Sequence, residues 1–465
     1  MDKVKKQYGL WTGVAMVIGI IIGSGVFLKA GGVLELTGGD LKLSILAWLV
    51  GGIIMVSSGF CFAVFATRVT KFNGVVDYVE SVTNEKVGYG LAWLFTTFYY
   101  PIICAIVSLF AGHYFFRLFG LDIALNEWQN FLFAFILLTI LASVNYLSPK
   151  IAARFQVSST IIKIIPILII GIVGIFASLI IGPEVGIVNG FIKPAEGYTI
   201  NFGEAVKKTA FAFEGWVCAT AINAEIKDSK KNLPKALIGG TIAVLLFYII
   251  YYIGLSACLG NDQTIALGAN APLVAFEKIM GKFGGILFTV LIMISCIGTV
   301  NGVNMSASRG MYTMSCRGQG ICPEKFSKLG KNQSSSFLSC LYGYLCILFM
   351  LFIWYLALND VWIFGRLATM DEIVCSVVYT LYIFLYVNII KKFEGLGIFK
   401  RYIMPVFAII GSIFFILCGT GLFQLITTGS FESLLNFGVF VALMIILMIP
   451  SLFFYHKENQ IEFNN

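Results

Sequence analysis

The sequence predicts an all-α membrane protein with twelve transmembrane helices, of which the first and the sixth are unwound at mid-membrane. Of the 465 residues, 58% are hydrophobic and only 12% are charged, and the mean hydropathy is +0.90. This composition is typical of chains that expose apolar surface to lipid, where each spanning helix needs about 20 mostly apolar residues. The predicted spans are residues 10–36, 43–66, 89–116, 128–146, 155–181, 205–224, 236–258, 283–308, 337–356, 362–389, 403–427 and 433–455.

The first span contains a break. Gly23, Ser24 and Gly25 follow one another in the middle of an apolar run, and glycine weakens a helix because it adds backbone freedom and has no side chain to pack. In lipid, an unwound backbone is tolerated only where it is buried in protein or lines a wet cavity. We therefore expect its free amide and carbonyl groups to bind a small polar solute. The alternative for Gly19 and Gly23 is a helix-packing face.

The fifth span carries a lysine, Lys163, deep within an apolar run. A lysine at mid-membrane costs about 2.5–3.5 kcal/mol on insertion scales, so it needs a partner or a role. One role is to carry a coupling proton. The alternative is a side chain that snorkels to the membrane surface.

The sixth span has a second break, because Glu214 and Gly215 interrupt its apolar sequence. It lies five spans after the first, and an odd number of spans per half forces the two halves into opposite orientation. The sequence thus predicts an inverted repeat of two five-helix halves. The predicted divisions are a cytoplasmic N-terminus at 1–9, a first repeat at 10–181, a second repeat at 182–389, helices 11 and 12 at 390–455 and a cytoplasmic tail at 456–465.

Charged residues in the sixth and tenth spans bear on specificity. A carboxylate at Glu214, beside a substrate cavity, would attract a cationic amino acid or take up a proton. In the tenth span, Arg366 precedes Asp371 and Glu372. If these three lie inside the membrane, we expect Arg366 to pair with one acid, because neither charge is stable there alone. The alternative is that the helix starts later and the charges lie at the outer rim.

The distribution of Lys and Arg sets the orientation. With the N-terminus inside, most of the 32 fall in cytoplasmic segments, which places both termini in the cytoplasm of a multi-pass cell-membrane protein. The net charge of +8 reflects this topology and indicates no nucleic-acid partner. The two histidines and eleven cysteines form no cluster with metal-ligand spacing. Because a phosphate-binding loop is also absent, we expect no ATP-driven pump, no metal, no cofactor and no enzyme.

Three motifs in order resemble one family. Residues 13–27, which end Ile-Ile-Gly-Ser-Gly-Val-Phe, are similar to the first helix of amino acid–polyamine–organocation transporters. Phe-Ala-Phe-Glu-Gly-Trp at 211–216, followed by residues 225–236, resembles a signature of the L-type amino-acid branch. Residues 301–323, with Asn-Gly at their start and Arg-Gly-Gln-Gly near their end, resemble another. Within this branch, the chain looks like the bacterial serine/threonine exchangers.

The resemblance implies a LeuT-type fold with its substrate site at the two breaks. Amides of the first break would hold the substrate carboxylate, and carbonyls of both breaks would hold its amino group. Phe211 matches an aromatic gate over the substrate. Lys163 matches a lysine that takes the place of the sodium ion of related folds and braces the first helix against the eighth. The implied substrate-binding residues are Ile21, Gly23, Ser24, Gly25, Phe211, Ala212 and Glu214.

The expected function is exchange of neutral L-amino acids such as serine and threonine by alternating access. Proton-coupled uptake and acceptance of cationic amino acids are alternatives, and a sensor that binds without transport is an alternative of another class. The loop 117–127 has no cysteine, whereas eukaryotic members of the branch use one there to join a single-span subunit. We therefore expect an amino acid and the bilayer as partners, and no disulfide-linked heavy subunit.

Overall fold

The computed structural model of the chain describes residues 8–69, 73–176, 191, 195, 197–329 and 335–455. These residues form an all-helical bundle. Ten of their helices are long and apolar enough to cross a membrane, or eleven if one bent pair counts as a span. The chain is therefore a multi-span membrane protein, as predicted. The predicted repeat boundary at 181–182, the tail 456–465 and most of the N-terminal segment 1–9 lie outside the described residues.

The N-terminal part follows the first five predicted spans. The first span consists of two helices bent by 45° at the predicted break. π-helical turns lie within the third span at Phe95–Tyr99 and within the fifth at Ile169–Val173. The α-helices are α1 (Leu10–Ile21), α2 (Gly25–Leu36), α3 (Leu41–Arg68), α4 (Val75–Val82), α5 (Glu85–Leu94), α6 (Tyr100–Leu118), α7 (Trp128–Leu147) and α8 (Pro149–Leu168).

The C-terminal part contains the remaining spans. Its longest helix is kinked at Gly281, whose φ of +70° is accessible mainly to glycine, and the eighth span follows this kink. The α-helices are α9 (Phe202–Ala212), α10 (Ser229–Leu259), α11 (Asn261–Leu267), α12 (Ala271–Ser315), α13 (Pro323–Phe326), α14 (Phe337–Leu358), α15 (Met370–Lys392), α16 (Met404–Gly419), α17 (Leu422–Thr428) and α18 (Glu432–Phe453). The other helical turns are Trp216–Glu225, Gly268–Asn270, Trp362–Leu367 and Phe399–Ile403.

Two spans differ from the prediction. The sixth is interrupted at Glu214 and Gly215, as predicted, but the chain after this break continues as a 3₁₀ helix over Trp216–Glu225 and not as an α-helix. Neither piece alone is long enough to cross a bilayer, which is why the described residues give eleven spans and not twelve. The tenth span starts after the predicted residue 362, as the alternative for this span held, since a 3₁₀ turn at Trp362–Leu367 precedes α15.

The two broken spans lie side by side and antiparallel. At one end, Tyr8 pairs with Ile226 in a β-bridge and accepts a hydrogen bond from the Lys227 amide at 2.8 Å. At the other end, the Asn201 amide donates to the Leu36 carbonyl at 2.7 Å. The start of the first span therefore meets the end of the sixth. We call the end with Tyr8 the inner end and the end with Asn201 the outer end.

Other spans five positions apart also pack together. α3 contacts α10, α6 contacts α12, and α7 contacts α14; these are the second and seventh, the third and eighth, and the fourth and ninth spans. Within this frame, α1 is buried continuously from Ala15 to Ile21. The break that follows it is thus enclosed by protein, as an unwound backbone in a membrane requires.

Candidate functional site

The break in the first span places backbone donors at the start of α2. The Gly23 amide turns back to the Ile21 carbonyl at 2.9 Å, and the Phe27 amide donates to the Ser24 carbonyl at 3.1 Å. The first amides of a helix have no acceptor within the helix, so they attract an anion. Ser24 and Gly25 line a cavity, and their amides are therefore candidate ligands for a carboxylate.

The break in the sixth span places backbone acceptors beside these donors. α9 ends before Gly215, whose φ is +100°, a conformation that favours glycine. The last carbonyls of a helix have no donor within the helix and carry partial negative charge, which suits an ammonium group. At the end of α9, the Phe213 amide donates to the carbonyls of Thr209 and Ala210 and the Glu214 amide donates to that of Phe211, at 3.1–3.2 Å. The Ala212 carbonyl is the helix-end acceptor to which no described backbone amide donates.

The two breaks approach one another through a glycine. A Cβ atom added to Gly25 would lie 2.8 Å from the Cα atom of Ala212, closer than real side chains come. Only glycine at this position lets the start of α2 touch the end of α9. The donors of one break and the acceptors of the other thus meet in a single place.

A small cavity of about 20 Å³ lies between the breaks. It has room for about one water molecule, so its walls must move apart before an amino acid can bind. Ala212 is outside the lining, since its backbone lies against Gly25. The predicted residues that line the cavity are Ile21, Gly23, Ser24, Gly25, Phe211 and Glu214, and the unpredicted ones are Ile20, Ile103, Val107, Gly215 and Thr299.

Ile103 and Val107 form an apolar wall from α6. They lie four residues apart, on one helical face, and both are buried. No sequence signal singles them out, because any apolar span contains pairs with this spacing.

Lys163 lies behind the first break and is fully buried. Its ammonium group donates to the carbonyl of Gly19 and to Thr299 Oγ1, the latter at 2.7 Å. Since Thr299 belongs to α12, the lysine connects the fifth span with the first and the eighth. Its hydrogen bonds hold it in the interior, and it does not snorkel.

Hydroxyl groups of other helices donate hydrogen bonds to further carbonyls of the two breaks. Ser295 Oγ donates toward the carbonyls of Ile22 and Gly23, at 3.2 and 3.1 Å. Tyr248 Oη lies 3.2 Å from the Ile21 carbonyl and 3.0 Å from that of Ala212. Buried carbonyls need such donors. Sequence reasoning missed both residues, since a polar residue in an apolar span does not reveal which distant carbonyl it contacts.

Glu214 contributes a carboxyl group to the cavity. It is 5% exposed, and its Oε1 accepts a hydrogen bond from the hydroxyl of Tyr99. Among the described residues, neither its Oε2 nor the hydroxyl oxygen of Ser24 has a hydrogen-bond partner. Buried polar atoms are rarely left in this state, and both belong to residues that line the cavity.

Known proteins are similar to this chain, one of them over almost its full length. A family model described as "Amino acid permease" matches residues 8–449. The chain belongs to the amino acid permease family. It is 31% identical to the serine/threonine exchanger SteT of Bacillus subtilis (strain 168) over 426 residues. The aligned region covers 90% of this chain and 91% of that protein.

Less similar relatives match only part of their own length. The Asc-type amino acid transporter 1 of Mus musculus is 28% identical over 312 residues, which are 66% of this permease and 57% of that protein. The cystine/glutamate transporter of Homo sapiens is 25% identical over 331 residues, or 68% and 62% of the two chains. The permease is thus an amino-acid transporter and not an enzyme.

The predicted partner of the tenth-span acids was wrong. In the permease, Arg366 donates to Asn436 Oδ1 at 3.3 Å, whereas Asp371 and Glu372 each bind the ammonium group of Lys29 at 2.9 Å. Both acids are buried and lie at the start of α15, outside the cavity lining. Sequence analysis did not single out Lys29, because its partners are more than 340 positions away.

Proposed function

We propose that the permease exchanges small neutral L-amino acids, such as serine and threonine, across the cell membrane by alternating access. The observation that carries this proposal is the meeting of helix-end amides at residues 24–25 with helix-end carbonyls near residue 212 around one small cavity. An α-amino acid carries an anion and a cation on neighbouring atoms. The paired helix ends match that charge pattern.

In the proposed complex, the substrate carboxylate accepts hydrogen bonds from the amides of Ser24 and Gly25 and from the Ser24 hydroxyl. The substrate ammonium group donates to the carbonyls of Ile21 and Ala212, which now accept from Tyr248. The carbonyls of Phe211 and Glu214 complete the site. Tyr248 has to give up at least one of its two contacts when the substrate arrives.

The apolar wall and the free carboxyl oxygen favour a small substrate with a polar side chain. Ile103 and Val107 limit the length of a side chain. Glu214 Oε2, which lacks a partner among the described residues, can accept a hydrogen bond from a substrate hydroxyl. Phe211 is 8% exposed and lines the cavity, consistent with an aromatic gate.

The finer architecture belongs to the same proposal. Antiparallel packing of the first and sixth spans, and contacts between other spans five positions apart, support a LeuT-type inverted repeat. Lys163 takes the place of a structural cation between the first and eighth spans, where it contacts Gly19 and Thr299. We place both termini in the cytoplasm, so the outer end faces the cell exterior, and we propose that no disulfide-linked subunit is needed.

One observation favours a second candidate, in which transport is coupled to protons or accepts cationic amino acids. The unpartnered Glu214 Oε2 can also bind a proton or the charged end of a lysine side chain. Substitution of Glu214 by alanine would then selectively abolish uptake of lysine and arginine, or of any substrate driven by a proton gradient. If Glu214→Ala reduces the uptake of all amino acids equally, the result favours the neutral exchanger.

The test is uptake of labelled amino acids into liposomes that contain the purified permease. One set is preloaded with unlabelled serine, a second is empty, and both are measured with and without a pH gradient. The proposal expects labelled serine and threonine to enter only the preloaded set. Uptake into empty vesicles driven by the pH gradient would support the second candidate, and binding without uptake in any set would indicate a sensor.

A further inference from the structure

Four largely buried charged residues meet near the outer end of the bundle. Lys29 Nζ lies 2.9 Å from both Asp371 Oδ2 and Glu372 Oε1. Lys207 Nζ lies 3.5 Å from Glu372 Oε2 and 3.0 Å from Oε2 of Glu204, which is on its own helix. The side chains are only 8–18% exposed. We call Lys29, Lys207, Asp371 and Glu372 the outer ion cluster.

The cluster joins three separate segments. Lys29 lies on α2, Lys207 on α9, and the two acids on the first turn of α15. α2 and α9 are the outer halves of the two broken spans, whereas α15 is a continuous helix. Buried charges are costly unless they are paired. The ion pairs therefore hold the two outer half-helices against α15.

The cluster lies directly beyond the cavity. Lys29 Nζ is 5.8 Å from the centre of the Phe211 ring, and Phe211 lines the cavity. The thiol of Cys375 lies one turn further along α15, 3.4 Å from the Asp371 carbonyl. A solute leaving the cavity toward the outer end must pass between the segments that the cluster joins.

The inner end is closed by different contacts. Arg317 binds Asp77 and Glu80 of α4, and Tyr8 holds the chain beyond the sixth span. Both ends are thus shut around a cavity too small for an amino acid. Alternating access requires one end to open while the other stays closed, so each end needs its own releasable contacts.

We infer that the outer ion cluster is the latch of the outer gate, and that opening separates Lys29 and Lys207 from Asp371 and Glu372. This inference rests on the proposed function for its role in a transport cycle. In the closed state, the carboxylates and ammonium groups satisfy each other away from water. When the gate opens, water solvates both partners, which offsets the loss of the ion pairs. Neutralising one partner removes the attraction and shifts the population toward the open gate.

Native Cys375 reports on this gate. Right-side-out vesicles are treated with a cationic, membrane-impermeant methanethiosulfonate, and modification of the peptide with Cys375 is followed by mass spectrometry. We expect Asp371→Asn to label roughly tenfold faster than wild type, as loss of a partner in a buried ion pair allows. Lys29→Met, which retains most of the side-chain length, provides a second variant if Asp371→Asn folds poorly. The matched control is Glu35→Gln, which neutralises an exposed acid on α2 and should label at the wild-type rate.

Charge reversal separates a latch from general loosening. Lys29→Asp and Asp371→Lys should each accelerate labelling, and the double variant should return toward the wild-type rate. Wild-type labelling in the single variants, or no restoration in the double variant, would overturn the latch. Amino-acid exchange is measured on the same vesicles. If the variants label faster but the wild-type permease exchanges no amino acid, the proposed function is rejected and the latch is retained. If the wild-type permease exchanges amino acids but the variants label at the wild-type rate, the latch alone is rejected.

Discussion

The ammonium group of Lys163 donates a hydrogen bond to the backbone carbonyl of Gly19, one turn before the first span breaks. Its second bond, at 2.7 Å to Thr299 Oγ1, fixes the same turn to α12. A hydrogen-bond donor at this point satisfies a carbonyl near the end of α1. The position of α1, and with it the donors at Ser24, therefore depends on a side chain from the fifth span.

Replacing Lys163 by alanine should strongly impair transport while the protein still inserts and folds. The variant leaves the Gly19 carbonyl and the Thr299 hydroxyl without their donor, and the brace between three spans is lost. We expect serine exchange to fall by roughly tenfold or more. Exchange in proteoliposomes, normalised to folded protein by size-exclusion chromatography, measures this. Lys150→Ala, an exposed lysine on the same helix, should be neutral, and wild-type exchange by Lys163→Ala would contradict the assigned role.

Gly25→Ala should destabilise the protein and impair substrate binding. The new methyl group would meet the backbone of Ala212 at 2.8 Å, and two helix backbones cannot yield as a side chain can. Overpacking of this kind costs about 1–3 kcal/mol, which thermal unfolding in detergent would detect. The control is Gly239→Ala in α10, where a Cβ has no neighbour within 4 Å. Equal melting temperatures for the two variants would show that the close approach of the breaks is unimportant.

Tyr99→Phe should weaken serine binding. The hydroxyl of Tyr99 orients the Glu214 carboxyl group, and a lost hydrogen bond to such a group costs about 1–3 kcal/mol. The apparent KM for serine should rise by about tenfold, with little change in the amount of folded protein. Tyr89→Phe is the matched control, since the Tyr89 hydroxyl is buried without a partner among the described residues. An unchanged KM in Tyr99→Phe would show that the position of the Glu214 carboxyl group does not matter for serine binding.

Val107→Ala should broaden the substrate range toward larger neutral amino acids. The substitution removes part of the apolar wall that lines the cavity, and a few methyl groups in such a pocket are worth about 1–3 kcal/mol of discrimination. Competition of leucine or valine against labelled serine should therefore improve by about tenfold. Ile140→Ala on the outward face of α7, where the isoleucine is 54% exposed, should leave competition unchanged. If Val107→Ala does not improve competition by leucine or valine, the substrate side chain does not contact Val107.

The break of the first span could be predicted from sequence because its cause is local. Gly23, Ser24 and Gly25 weaken the helix by their own backbone properties, and an apolar run of this length has to cross the membrane. Lys163 could be singled out for a similar reason, since a lysine in such a run needs a partner wherever the chain folds.

Contacts between distant segments could not be predicted in this way. Tyr248 and Lys29 have no local feature that identifies their partners, and the salt bridges of Lys29 span more than 340 residues. The conditional pairing of Arg366 with a tenth-span acid is not found, because the cost of an unpaired charge shows that a partner is needed but not which residue provides it. The break of the sixth span at Glu214 and Gly215 was predicted, but the 3₁₀ helix that follows it was not, since a 3₁₀ helix has no distinctive periodicity over ten residues.

The most direct test of the central claim is a structure of the permease solved with L-serine. The account predicts serine between the two breaks, with its carboxylate about 3 Å from the amides of Ser24 and Gly25. Its ammonium group should then contact the carbonyls of Ile21 and Ala212, in a cavity larger than the present 20 Å³. Serine bound elsewhere, or in this cavity with the opposite orientation, would contradict the account.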